Sequence, residues 1–179
     1  RFFSVLGVAA LSAAALAAHA DEPQHVEIYN EPGRFAGWPA NHGIWNWGDE
    51  IVVGFLLGYH KEKEGHTIDN ARPSAIRQAR SMDIETPSFV KEEADEGDPE
   101  PVRKPVDFSA PGFAARFRAG RFYYSTDRCR TWQGPFALPK FGRPELLART
   151  DYLVEGRRRL TAFVAAAKEG GGEGQPLCI

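Results

Sequence analysis

Ser125-Thr126-Asp127-Arg128-Cys129-Arg130-Thr131-Trp132 follows directly on the aromatic run Phe122-Tyr123-Tyr124. Its spacing, S-x-D-x-x-x-T-W, describes a self-sufficient hairpin turn. The Asp127 carboxylate can accept hydrogen bonds from backbone N–H groups two or three residues on, as Asx turns do. The fifth position calls for a positive φ, and an L-residue such as Cys129 held there costs about 1 kcal/mol. Trp132 then returns to cover the core. A turn of this kind after an aromatic strand predicts antiparallel β structure.

The flanking sequence has the same character. Gly43-Ile44-Trp45-Asn46-Trp47 and residues 50–56 flank Gly48-Asp49, which is a hairpin signal. Ala75–Ser81 reads as a third strand, and residues 113–117 pair with Arg121–Ser125 around Ala119-Gly120. Residues 151–154, a turn at Glu155-Gly156 and residues 157–166 form a further hairpin. Residues 91–105 are acidic, carry Pro99, Pro101 and Pro105, and read as a surface loop. Short strands, Gly or Pro turns and almost no helical periodicity predict an all-β fold, a sandwich or a propeller. The composition, 42% hydrophobic and 26% charged, excludes a disordered chain. A net charge of -2 gives no electrostatic basis for a nucleic-acid partner.

Residues 1–20 read as a secretory signal peptide. Arg1 is the only charge before Asp21, an apolar h-region follows it, and Ala18-His19-Ala20 supplies a small-x-small cleavage site. The alternative is an uncleaved anchor, since the apolar run approaches the roughly 17 residues that span a bilayer. The expected location is secreted or periplasmic, with no membrane contact after cleavage. Residues 21–179 then carry 21 Lys and Arg against 24 Asp and Glu. Export permits a bridge between Cys129 and Cys178, though no spacing supports one. His42, His60 and His66 are too widely spaced for a local metal motif, so neither a metal nor a cofactor is expected.

The octet at 125–132 resembles the Asp-box, S-x-D-x-G-x-T-W, the repeated turn of sialidase (neuraminidase) β-propellers, with Cys129 in place of the usual Gly. Ala79-Arg80-Ser81-Met82-Asp83 is similar to the start of a second copy and lacks its Gly and Trp. The step from Ser81 to Ser125 is 44 residues, about one propeller blade. In such a box Ser125, Asp127, Thr131 and Trp132, like Ser81 and Asp83, serve the fold and do not touch substrate. The resemblance implies a six-bladed β-propeller of which residues 21–179 supply about three blades, an incomplete domain cut at both ends.

The same resemblance implies chemistry. By order and spacing Arg34 is similar to the first arginine of the sialidase substrate-binding cluster, with Gly33-Arg34-Phe35-Ala36 standing where the family has F/Y-R-I-P. Asp69, on the loop before the Arg80-Ser81 strand, is similar to the general acid/base, and Arg72 can line the same cleft. Guanidinium forks recognise the carboxylate of a sialic acid through bidentate bonds, and a carboxyl protonates the leaving oxygen. The family pairs these with a Tyr nucleophile and a Glu in later blades. The implied function is an exo-α-sialidase acting on sialylated glycans. The alternative is a non-catalytic Asp-box propeller that binds carbohydrate or protein. Arg157-Arg158-Arg159 reads as a solvated charge run on a strand.

Overall fold

A computed structural model describes residues 25–81, 88–91, 97–147, 149–168 and 174–179. Residues 1–20, read as a signal peptide, and Asp83 lie outside the described residues. The β-branched and aromatic runs become strands, collected in three antiparallel sheets, none closed on itself.

The first sheet contains β1 (Arg34–Gly37), β2 (Ile44–Trp47), β3 (Glu50–Tyr59), β4 (Ala75–Ser81) and β5 (Ser88–Lys91). A one-turn helix, α1 (Pro39–His42), joins β1 to β2, and both strands pair with β3. The expected hairpin at Gly48-Asp49 forms. β3 runs on to Tyr59, beyond the expected 56, because β1 extends the ladder there, with Arg34 opposite Tyr59. Gly54 lets α1 sit close against β3: it donates to the Gly43 carbonyl at 2.8 Å, and a Cβ there would fall 2.5 Å from the His42 carbonyl oxygen.

The second sheet is β6 (Ala114–Arg118), β7 (Arg121–Ser125) and β8 (Gln133–Ala137). Ala119 takes the positive φ of the β6–β7 turn, 51°. β8 carries Pro135 and lies at the sheet edge, where a missing N–H is tolerated. The 91–105 segment is not wholly loop, since Glu100 forms a parallel bridge to Phe136 of β8.

The third sheet contains β9 (Leu146–Leu147), β10 (Tyr152–Gly156), β11 (Arg159–Ala166) and β12 (Gln175–Cys178). The hairpin turn expected at Glu155-Gly156 falls instead on Arg157-Arg158, because Gly156 pairs with Arg159. The three arginines are therefore not one strand run. Arg157 binds Asp107 at 2.8 Å, Arg158 donates to the Val106 carbonyl at 3.0 Å, and Arg159 pairs with Glu155.

β6 is buried on both faces and joins the sheets. Ala114 packs toward Trp45 and Val52 of the first sheet. Ala115 and Phe117 point the other way, into a cluster with Phe113, Phe122, Ala162 and Val164 that cements the second sheet to the third. Cys129 is buried and Cys178 exposed, and both are free thiols. Among the described residues no helix is long and apolar enough to cross a membrane.

Candidate functional site

The turn after β7 has the hydrogen bonding its spacing demands. Ser125 Oγ donates to Asp127 Oδ1 at 2.7 Å and accepts from the N–H groups of Asp127 and Cys129 at 3.2 and 3.0 Å. Asp127 Oδ1 also accepts from the backbone of Arg130 and Thr131 at 3.0 and 2.9 Å, while Oδ2 takes the Thr131 hydroxyl at 2.6 Å. Burial works against the charge on Asp127, but the bonds from Thr131, Ser125 and Arg130 outweigh it and hold the carboxyl below its usual range. Cys129 stands at φ 61°, as the fifth position requires, and Arg128 at 57°. The Trp132 ring centre lies 5.4 Å from that of Trp45, over the core. Ser81 ends β4 as Ser125 ends β7, so both box-like segments lead into the last strand of their sheets.

A buried carboxylate that the sequence reading missed fastens this turn to the first sheet. Glu50, 1% exposed, binds Arg80 Nη1, Arg128 Nη1 at 3.0 Å and Arg130 Nη2 at 2.9 Å. Arg80 and Gln78 donate to the carbonyls of Arg128 and Cys129 at 2.8 and 2.7 Å. Burial opposes ionisation of Glu50; the bonds from Arg128 and Arg80 and the surrounding positive charge prevail, so its pKa is lowered. The available signal was Glu50 heading an otherwise apolar strand, with Gln78 and Arg80 alternating across from it in β4.

The three residues expected to meet substrate gather around Tyr59. The Arg34 guanidinium lies 4.3 Å and that of Arg72 3.2 Å from the Tyr59 ring centre. Arg34 Nε donates to the Gly58 carbonyl at 2.9 Å. Asp69 donates its N–H to the Tyr59 carbonyl at 2.8 Å, and its carboxylate accepts from the Ala71 N–H at 3.1 Å with Lys61 Nζ 4.0 Å away. Stacking holds planar guanidinium forks in fixed orientation. Farther along, the Trp38 ring lies 5.0 Å from Phe35 and 5.2 Å from His66. Trp38, at φ 55°, is the residue from which α1 starts.

At α1 a second set of cations appears, which the sequence reading did not pick out. Arg149 Nη1 binds Asn41 Oδ1. Burial and the charges of Arg116 and Arg118 drive the His42 pKa down to about 4, which leaves the imidazole neutral at pH 7. Arg116, 4% exposed, lies 4.2 Å from the Trp132 ring centre and 5.5 Å from that of Trp45. Burial lowers its own pKa to about 10. The second and third sheets thus send three arginines to the short helix of the first. Their signal was the alternation Ala114-Arg116-Arg118 on one face of β6, which becomes visible only once β6 is known to be buried on both faces.

One strand of each of the three sheets meets here. Tyr152 of β10 accepts hydrogen bonds at its hydroxyl from Trp45 Nε1 of β2 at 3.2 Å and from the Ala115 N–H of β6 at 3.1 Å. The Phe117 N–H donates to Thr150 Oγ1 at 3.3 Å. A cavity of about 300 Å³ opens beside Tyr152, lined among others by Trp45, Asn46, Trp47, Thr150 and Asp151. No protein-family model, curated protein or solved structure matches the chain.

Proposed function

We propose that this chain carries part of the substrate site of an exported exo-α-sialidase, built on a six-bladed Asp-box β-propeller to which it contributes about three blades. The observation that carries the reading is the convergence of Arg116, Arg118 and Arg149 on α1. Guanidinium forks favour a carboxylate-bearing sugar over a neutral one. The Arg34–Tyr59–Arg72 stack lies on β1 and β3 of the sheet that carries α1, and there Asp69 is the proposed acid that protonates the leaving oxygen. The realised Asp-box geometry after β7, and the similar start of a box in the sequence at Ser81, the end of β4, support the repeat. The basic start and small-x-small site of residues 1–20 support export.

The test is release of a fluorogenic α-sialoside by the protein with all six blades present, compared with Asp69→Ala and Arg149→Met. Turnover abolished by Asp69→Ala and a raised KM in Arg149→Met are expected. No turnover by the unmodified protein overturns the enzymatic reading. A second reading, a propeller that binds glycans without cleaving them, is favoured by one observation. The Asp69 carboxylate and Arg34 Nε are already engaged within the chain, at 3.1 Å and 2.9 Å. Saturable sialoside binding without turnover would establish it.

A further inference from the structure

Where the turn end of the β6–β7 hairpin lies against the start of β11, a pocket of about 200 Å³ opens to solvent, and every side chain that lines it is apolar. Its floor is the buried cross-strand pair Phe117 and Phe122, and half-buried Phe108 and Leu160 form walls. Phe141 closes one side with its ring 53% exposed. Its φ is 52°, a region that bulky side chains rarely enter. A half-exposed ring on a strained backbone serves the core poorly, and such outliers are kept where the residue has another use. The segments around the pocket are cationic. Lys140 and Arg143 flank Phe141 in one turn, closed by the Arg143 N–H on the Lys140 carbonyl at 2.9 Å. Arg121 stands opposite Ala137, where that loop leaves β8, and Arg158 reaches the Val106 carbonyl. Arg157 is neutralised by Asp107, but among the described residues no carboxylate pairs with Arg121, Lys140, Arg143 or Arg158.

We propose that this pocket binds a small aromatic carboxylate, with the ring among the phenylalanines and the carboxylate held at the rim by Lys140 and Arg143. A cavity of about 150 Å³ admits benzene, so about 200 Å³ takes one ring and a short linker. Aromatic walls favour an aromatic guest, packed edge to face or offset. No lining side chain can hydrogen-bond the guest, so its polar group stays at the mouth, where the surrounding charge selects an anion. None of these residues belongs to the sialoside site above, so binding here does not depend on that reading.

The experiment is isothermal titration of the intact protein with 3-phenylpropionate and, separately, with its uncharged amide, 3-phenylpropanamide. Saturable one-site binding of the acid is expected, about tenfold tighter than that of the amide, with the difference shrinking in about 0.5 M NaCl. Phe141→Gly weakens both ligands about tenfold by removing one wall. It leaves the thermal melt at or above that of the wild type, because glycine adopts this φ without strain. The double variant Lys140→Gln with Arg143→Gln brings the acid down to the affinity of the amide and leaves the amide unchanged. Absence of saturable binding by the acid, equal affinities for acid and amide, or unaltered binding in Phe141→Gly overturns the proposal. So does a melt lowered by Phe141→Gly, which would mark the ring as part of the core. A dimer in analytical ultracentrifugation that Phe141→Gly dissociates would show a second copy seated in the pocket, and would also overturn it.

Discussion

Replacing Glu50 with Gln keeps the shape of the side chain and removes a negative charge that binds Arg80, Arg128 and Arg130. The three partners do not respond alike. Side chains of Arg128 and Arg130 are 43% and 50% exposed, so they can turn to water, and each pair contributes at most about 1 kcal/mol. The Arg80 side chain is 7% exposed and has no such escape. Removing the partner of a buried charge costs about 3–5 kcal/mol. Arg80 keeps its bond to the Arg128 carbonyl, and Gln can still accept one hydrogen bond, which places the expected loss near the bottom of that range, about 3 kcal/mol. For a chain of this size that lowers Tm by about 6–12 °C. Circular dichroism melts and urea titrations at pH 7 measure it.

The pH dependence supplies an independent check. The folded pKa of Glu50 is depressed, so its stabilisation is present above the unfolded pKa, about 4.3, and is lost as pH falls through the folded value. The gap between the wild type and Glu50→Gln should close as pH drops below about 4. A difference under about 0.5 kcal/mol at pH 7, or a gap unchanged down to pH 3, refutes the assignment of Glu50 as the fastening of the turn.

Other outcomes follow from the same packing. Burial pushes the Cys129 thiol up to about 12, so an aromatic disulfide reagent should modify Cys178 promptly and Cys129 only on unfolding; mass spectrometry of the adducts decides. Asp127→Ala strips the turn of its acceptor for the Arg130 and Thr131 amides and should cost about 2 kcal/mol in urea unfolding, whereas a loss below about 0.5 kcal/mol would show that the turn closes without it. Gly54→Ala drives a methyl against the His42 carbonyl and should cost about 1–3 kcal/mol, with a melt identical to wild type as the contrary result.

Much of the β architecture was legible because it depends on local signals. Gly48-Asp49 and Ala119-Gly120 announce their hairpins, and the Ser125-to-Trp132 spacing encodes its own hydrogen bonds. β1 and β12 were hidden: four-residue stretches such as Arg34–Gly37 and Gln175–Cys178 have no alternation of their own and become strands only against β3 and β11. The displaced turn at Arg157-Arg158 has a similar cause. Gly156 reads as a turn residue, yet the ladder irregularity between Val154 and Gly156 carries the pairing two residues further, and Asp107 and Val106 receive the arginines from outside the hairpin. Arg34, Asp69 and Arg72 were placed on one patch by order along the chain, and the structure does gather them. The cations around α1 were not legible, because Arg116, Arg118 and Arg149 are far from Asn41 and His42 in sequence and meet them only through the stacking of separate sheets.

The phenol of Tyr152 also bears on how the molecule comes apart. Its oxygen is bonded to one strand of each of the other two sheets, and its ring lies 6.1 and 6.2 Å from Phe113 and Phe117. Were each sheet bound only to its neighbour, the third could peel away and leave the first two intact, as outer units of repeat proteins do. Here peeling the third sheet strands the indole N–H of Trp45 and the amide of Ala115, one in each surviving sheet. Melting therefore becomes a shared event: slow amide exchange at Ala115 and Phe163 should report one common opening, and sheets that look separate along the chain behave as a single cooperative unit.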